Sequence, residues 1–251
     1  ERRSGTVGRM AAAQTARARA RAELTAEILD AAHRQLSSVG PAGLSLRAIA
    51  RELGMSSSAI YRYFASRDAL LTELIVDAYD ALGADVEAAE AAVDRTDIAG
   101  RFMTAARATR RWALENPHRY ALVYGSPVPG YVAPDDTINP AARVGLIMVH
   151  IVRDAAEAGQ LRAIDPTPDD GRGHLVEGSV LEEFGTAAHP VVEGLDGMDE
   201  AYATTGILMW TAMFGTISFE LFGHLVNVVV DREAYFDETM RRLGRLCGLD
   251  I

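Results

Sequence analysis

Between Ser45 and Arg67 the chain reads Ser-Leu-Arg-Ala-Ile-Ala-Arg-Glu-Leu-Gly-Met-Ser-Ser-Ser-Ala-Ile-Tyr-Arg-Tyr-Phe-Ala-Ser-Arg. This run requires two short helices that meet at a tight turn. Ser45 is a favoured N-cap, and Leu46, Ile49, Ala50 and Leu53 recur at helical spacing. Gly54 supplies the positive φ that stops the first helix, and Ser56 caps the second. In that second helix Ala59, Ile60 and Phe64 form the inward stripe, leaving Ser57, Ser58, Tyr61, Arg62 and Tyr63 outward. Hydroxyls, phenols and a guanidinium on one short helix suit a major groove and its flanking phosphates. Two helices about a glycine turn make a helix-turn-helix.

The run also resembles the DNA-binding domain of the tetracycline-repressor (TetR) family of bacterial regulators. The residues that carry the resemblance are Ala50, Leu53, Gly54, Ser56, Tyr61, Phe64 and Arg67, followed by Asp68, Ala69, Leu70 and Leu71. It takes in the helix before the motif and the helix after it. Two positions depart from the usual pattern, since the family often has His at Tyr63 and Lys at Arg67. Both residues present still donate to a phosphate. The resemblance implies an all-α chain with a three-helix head and a helical body that binds a ligand and dimerises.

Composition fits once charge is divided along the chain. Residues 1–67 hold 11 arginines against 5 acids, and residues 68–251 hold 14 against 30, so an end of about +6 precedes a bulk of about −16. Such asymmetry favours docking on DNA through the N-terminal end. Every basic residue is an arginine, and the one cysteine, Cys247, excludes an internal disulfide and points to a reducing, cytoplasmic setting. No apolar leader opens the chain. The apolar stretch from Gly206 to Gly223 contains Glu220 and several hydroxyls, so it reads as a buried or interface helix and not as a membrane span.

Taken in order, residues 1–20 read as a basic flexible tail, 21–67 as the DNA-binding head and 68–251 as the body. Arg17, Arg19 and Arg21 alternate with alanine and extend the first helix outward, either as an arm on the DNA backbone or as a solvated end. Leu24, Ile28, Ala31, Ala32, Leu36 and Val39 form one face of that helix, which Gly40-Pro41 ends. Ser66 caps a long helix whose stripe runs from Leu70 to Val86. Helices are expected over 97–115 and 118–124, from Asn139 as N-cap to Gly159, and over 173–187, 199–223 and 231–247, with no strand. The pattern Trp112, Asn116-Pro117, Tyr120, Tyr124-Gly125 and Pro127, with Trp210 and Phe214, is similar to the C-terminal body of actinobacterial TetR-like regulators.

For DNA the candidate residues are Ser45, Arg47, Ser56, Ser57, Ser58, Ala59, Tyr61, Arg62, Tyr63 and Arg67. Ser57, Ser58 and Ala59 lie where base edges come within reach, and Tyr61, Tyr63 and Arg67 suit phosphates. For a small-molecule effector the candidates are Phe102, Met103, Trp112, Tyr120, Tyr124, Met148, His150, Phe184, Trp210, Met213 and Phe214, a set that either packs a core or lines a cavity. His150, inside Gly-Leu-Ile-Met-Val-His-Ile-Val, either hydrogen-bonds a ligand or is a satisfied core histidine. Arg107, Arg110 and Arg111 are expected to pair with Glu182 or Glu183.

The resemblance implies a homodimer through the last two helices. Leu208, Thr211, Ala212, Gly215, Phe219 and Phe222, with Tyr235, Met240, Leu243 and Leu246, supply the apolar surface. No phosphate loop, nucleophile elbow, HExxH or cysteine cluster occurs, and no two of the six histidines are four apart. The expected partners are therefore duplex DNA, an effector and a second copy of the chain, with no cofactor, metal or catalytic residue. The expected function is a repressor released from a palindromic operator. An effector-free architectural DNA binder and an enzyme on a helical scaffold are the rivals.

Overall fold

A computed structural model describes residues 4–162, 189–194 and 200–251. Among these there are ten α-helices and no strand. The chain divides into two compact units, Glu1–Leu74 with Pro127–Val132, and Ile75–Ser126 with Ala133–Ile251.

The first unit holds α1 (Ser4–Val39), α2 (Leu46–Glu52), α3 (Ser57–Ile60) and the opening turns of α4 (Arg67–Ala91). Helix α1 begins at Ser4, so the described part of the segment read as a flexible tail, residues 4–20, is helical. Its alanines and arginines are among the strongest helix formers, and they outweigh the absence of an apolar period. Ile28, Ala31, Ala32 and Leu36 are buried as their spacing requires, but Val39 at the end of the helix is 57% exposed. Leu46, Ile49, Ile60, Phe64, Leu70, Leu71 and Leu74 are buried too. Because the leucines of α4 to Leu74 belong to this unit, the division falls within α4 and not at its first residue.

The second unit contains the rest of α4, α5 (Ile98–Glu115), α6 (Pro117–Tyr124), α7 (Ile138–Glu157), α8 (His189–Gly194), α9 (Glu200–Leu221) and α10 (Arg232–Leu246). Helix α5 is capped by Asp97, whose carboxylate accepts from Gly100 N at 2.8 Å, and α10 by Asp231, which accepts from Ala234 N at 2.9 Å. Asn139 does not cap α7; a 3-10 turn at Asp135–Thr137 leads in, leaving Asn139 and Pro140 in the first helical turn, where proline loses no hydrogen bond. Helix α5 is central, packing against α7, α9 and α10. Phe102, Met103, Trp112, Met148, Met213 and Phe236 lie in the shared core. The helix expected over 173–187 lies outside the described residues.

Arginines lace this unit together. From Asp77 onward α4 offers carboxylates to three other helices: Asp77 to Arg119 of α6, Asp80 and Glu87 to Arg143 of α7, and Asp85 and Glu90 to Arg111 and Arg101 of α5. Arg101 is fully buried and also donates to Asp154 at 2.7 Å. Buried guanidinium groups need such partners to offset their lost hydration. Among the described residues the arginine trio meets other carboxylates. Arg107 meets Asp237, Arg110 meets Glu220 and Arg111 meets Asp85, while Glu182 and Glu183 lie outside the described residues.

Candidate nucleic-acid interface

Three local devices shape the motif. The Ser45 Oγ accepts from Ala48 N at 3.4 Å, and the Ser45 N–H donates to Gln35 Oε1 at 3.0 Å, which ties the start of α2 to α1. Gly54 takes φ 66°, the left-handed conformation that a C′ residue needs. Ser56 Oγ accepts from Ala59 N at 3.2 Å and lies 3.2 Å from Ser58 Oγ, opening α3. Helix α3 is only four residues long. Beyond it, Arg62 N and Tyr63 N donate to Ala59 O and Ile60 O, so the expected longer helix tightens into a 3-10-like turn.

This turn keeps the predicted sidedness. Ile60 and Phe64 are buried, Ala59 and Tyr63 are half-buried, and Ser56, Ser57, Ser58, Tyr61 and Arg62 are exposed. Arg47 on α2 is exposed, and Ser45 is half-buried through its capping role. Arg67 is committed elsewhere, because its Nη2 donates to Pro41 O at 2.7 Å and its Nη1 lies 3.3 Å from Asp68 Oδ1. It joins the start of α4 to the turn after α1.

The motif reading overlooked two further contacts. Arg34 grips Glu52 through Nε at 2.9 Å and Nη2 at 2.7 Å, fastening α2 to α1. Arg21 donates to Arg62 O at 3.2 Å and carries its guanidinium over the Tyr63 ring, 5.3 Å from the centroid. The alternation of arginine and alanine flagged this stretch, but spacing could not name its partner.

The candidate effector residues belong to the second unit. Phe102, Met103, Trp112, Tyr120, Met148, Met213 and Phe214 are buried and Tyr124 is half-buried. Tyr124 stacks on Phe214 at 4.1 Å between centroids, Tyr120 lies 5.1 Å from Tyr124, and Tyr79 meets Tyr124 edge-on at 5.9 Å. The Tyr120 phenol donates to Phe214 O at 2.9 Å and, its one proton so used, accepts from Ser218 Oγ at 2.9 Å. Burial pushes the Tyr120 phenol up to about 12 and raises Tyr79 and Tyr124 as well. Trp210 touches Phe214 at 5.7 Å but is 39% exposed. His150 is exposed on α7 and is no core histidine, and Phe184 lies outside the described residues.

A capped helix-turn-helix that presents serines, a tyrosine and arginines, joined through one helix to an all-helical body, defines a two-part DNA-binding transcriptional regulator. Residues 28–74 match the model for bacterial regulatory proteins of the tetR family, and residues 102–243 match that of the tetracyclin repressor-like C-terminal domain. The chain belongs to the tetR family, whose members are DNA-binding regulators and not enzymes. It is 39% identical over 226 residues to the HTH-type transcriptional regulator Rv1816 of Mycobacterium tuberculosis, covering 89% of this chain and 92% of that one. The crystal structure of SCO4313, described as a regulatory protein, aligns with a TM-score of 0.69 and 32% identity over 90% of this chain and 97% of that one. A tetR-family regulatory protein from Rhodococcus shares the fold, with a TM-score of 0.55 at 17% identity over 90% and 98% of the two chains. No helix among the described residues is long and apolar enough to cross a membrane.

Proposed function

We propose that this chain is a homodimeric repressor that leaves a palindromic operator when a hydrophobic or aromatic small molecule binds its helical body. The observation that carries the DNA half is the exposed row Ser56, Ser57, Ser58, Tyr61 and Arg62 standing over buried Ile60 and Phe64. Hydroxyls at the N-terminal end of the second motif helix reach base edges, and Tyr61, Arg62 and Arg47 reach phosphates. Dimerisation is supported by apolar side chains turned to solvent on α9, on the turn that follows it and on α10. Leu208, Phe219 and Phe222 are 51%, 56% and 44% exposed, and Tyr235 and Leu246 are 43% and 54% exposed. Met240 and Leu243, also assigned to the interface from sequence, are buried within the protomer.

The effector half is supported by the rings of Tyr79, Tyr120, Tyr124, Phe214 and Trp210, which offer flat apolar faces with few polar groups. Helix α4 starts in one unit and ends in the other, which makes it the covalent route for a population shift. The regulator works in the cytoplasm, where the chromosome lies.

The test is selection of genomic fragments by the purified protein, followed by mobility shift with and without small aromatic compounds. Enriched fragments should share an inverted repeat with half-sites about one helical turn apart. Fragments with no common repeat would sink the operator reading. A thermal-shift screen in which duplex stabilises the protein and no compound does would favour the effector-free architectural binder.

A further inference from the structure

Helix α1 carries an unusual charge gradient. Residues 4–22 contain Arg9, Arg17, Arg19 and Arg21 and no acid, and the next charges are Glu23, Glu27 and Asp30. This order opposes the helix dipole, which favours acids near the N-terminus, and α1 has none in its first turn. Arg17 and Arg21 are also one helical turn apart, a like-charge pair that destabilises an isolated helix. A helix extension kept only for solubility gains nothing from this arrangement. An external polyanion would reverse the sign of both terms.

The structure also fixes which way this charge faces. Arg21 is anchored on the turn after α3, through Arg62 O and the Tyr63 ring, so its side of α1 looks toward the proposed DNA-reading element. At 100° per residue Arg17 lies about 40° from Arg21 around the helix, whereas Arg19 lies about 160° from both. Both Arg17 and Arg19 are exposed. The stretch from Ser4 to Arg21 extends about 25 Å, enough to pass several phosphates of a duplex seated on the motif.

We propose that the N-terminal part of α1 is a second DNA contact beside the helix-turn-helix, in which Arg17 pairs with a backbone phosphate and Arg21 positions the recognition turn. This rests on the DNA-binding reading of the motif. The contact is to phosphate and so carries no sequence preference.

The test uses the full chain and a labelled duplex of arbitrary sequence about three helical turns long, with anisotropy followed as salt is raised. Arg17→Ala should flatten the plot of log affinity against log salt by about 0.9 for each phosphate that is no longer neutralised. Arg19→Ala should leave the slope of the wild-type protein. Alanine keeps α1 helical, and equal circular dichroism of the three proteins checks this. An unchanged slope for Arg17→Ala, or the same flattening for both variants, overturns the assigned phosphate pairing. Wild-type protein that binds no duplex would instead overturn the DNA-binding reading itself.

Discussion

Arg110 and Glu220 meet fork to fork, with Nε to Oε2 at 2.7 Å and Nη2 to Oε1 at 2.7 Å. Their side chains are 16% and 6% exposed, and the guanidinium also lies 5.6 Å from the Phe236 ring centroid. One contact thus gathers α5, α9 and α10. The hydrogen bond that Arg110 donates to Glu220, ahead of the opposing effect of burial, raises the Arg110 pKa and holds the guanidinium charged. The glutamate that marks this apolar run as something other than a membrane span is itself buried, and it meets a half-buried arginine.

Breaking that pair from one side leaves a desolvated charge. Glu220→Leu and Arg110→Met should each destabilise the protein by about 3–5 kcal/mol, whereas the double substitution should cost less than either. Urea unfolding at fixed protein concentration measures all three. Additive effects would show that the two groups do not act as a unit.

The tyrosine cluster predicts an alkaline limit. Burial raises the phenols of Tyr79, Tyr120 and Tyr124, with Tyr120 at about 12. A phenol raised in the folded state supports that state fully below its unfolded value of about 10, and the support is lost as pH climbs toward the folded value. Stability should therefore fall steadily above pH of about 10, and Tyr120→Phe should make that fall shallower. Removal of the hydroxyl should cost about 1 kcal/mol at neutral pH. Denaturant midpoints across the alkaline range, read beside phenolate absorbance, check both effects; a Tyr120→Phe curve parallel to wild type would refute the assignment.

Much of the head was legible because its signals are local. Ser45, Gly54 and Ser56 cap or stop helices within three residues of themselves, and the structure uses each as its chemistry suggests. Partners across helices were not legible. Periodicity tells which face of α5 is polar but not which helix it meets, so Arg107, Arg110 and Arg111 find Asp237, Glu220 and Asp85. His150 was misjudged for a different reason. Its immediate neighbours are apolar, yet Arg143, His150 and Glu157 recur seven apart, which is a polar helical stripe, and that stripe puts His150 in solvent.

The solvent-facing stripe of α9 gives a test of assembly that does not involve DNA. Phe219 is 56% exposed in the protomer, so Phe219→Glu should spare the fold. If the stripe is an interface, the charge must be buried unpaired against the second copy, which is strongly unfavourable. Sedimentation equilibrium should then show a monomer where the wild-type protein is a dimer, with unchanged helix content. Met240→Glu, at a fully buried position, should unfold the chain instead. A Phe219→Glu dimer of wild-type strength would place the interface elsewhere.

Gly83 and Arg143 set propensity against a surface ion-pair network. A Cβ at Gly83 would lie 2.6 Å from Arg143 Nε and 2.9 Å from its Cβ, so the arginine runs directly over the glycine. It does so to reach Asp80 Oδ1 at 2.8 Å and Glu87 Oε1 and Oε2 at 2.8 and 2.6 Å. Gly83 is buried under this side chain, and in a helix interior alanine is favoured over glycine by about 0.8–1 kcal/mol. Surface pairs contribute up to about 1 kcal/mol each, so displacing Arg143 cancels that gain. Gly83→Ala should leave the wild-type protein near its original stability, but should stabilise an Arg143→Ala protein by about 1 kcal/mol. The cycle of four proteins reads the coupling directly. Equal gains in both backgrounds would mean that the guanidinium moves aside and keeps its carboxylates, and that Gly83 is kept for some reason other than the passage of Arg143.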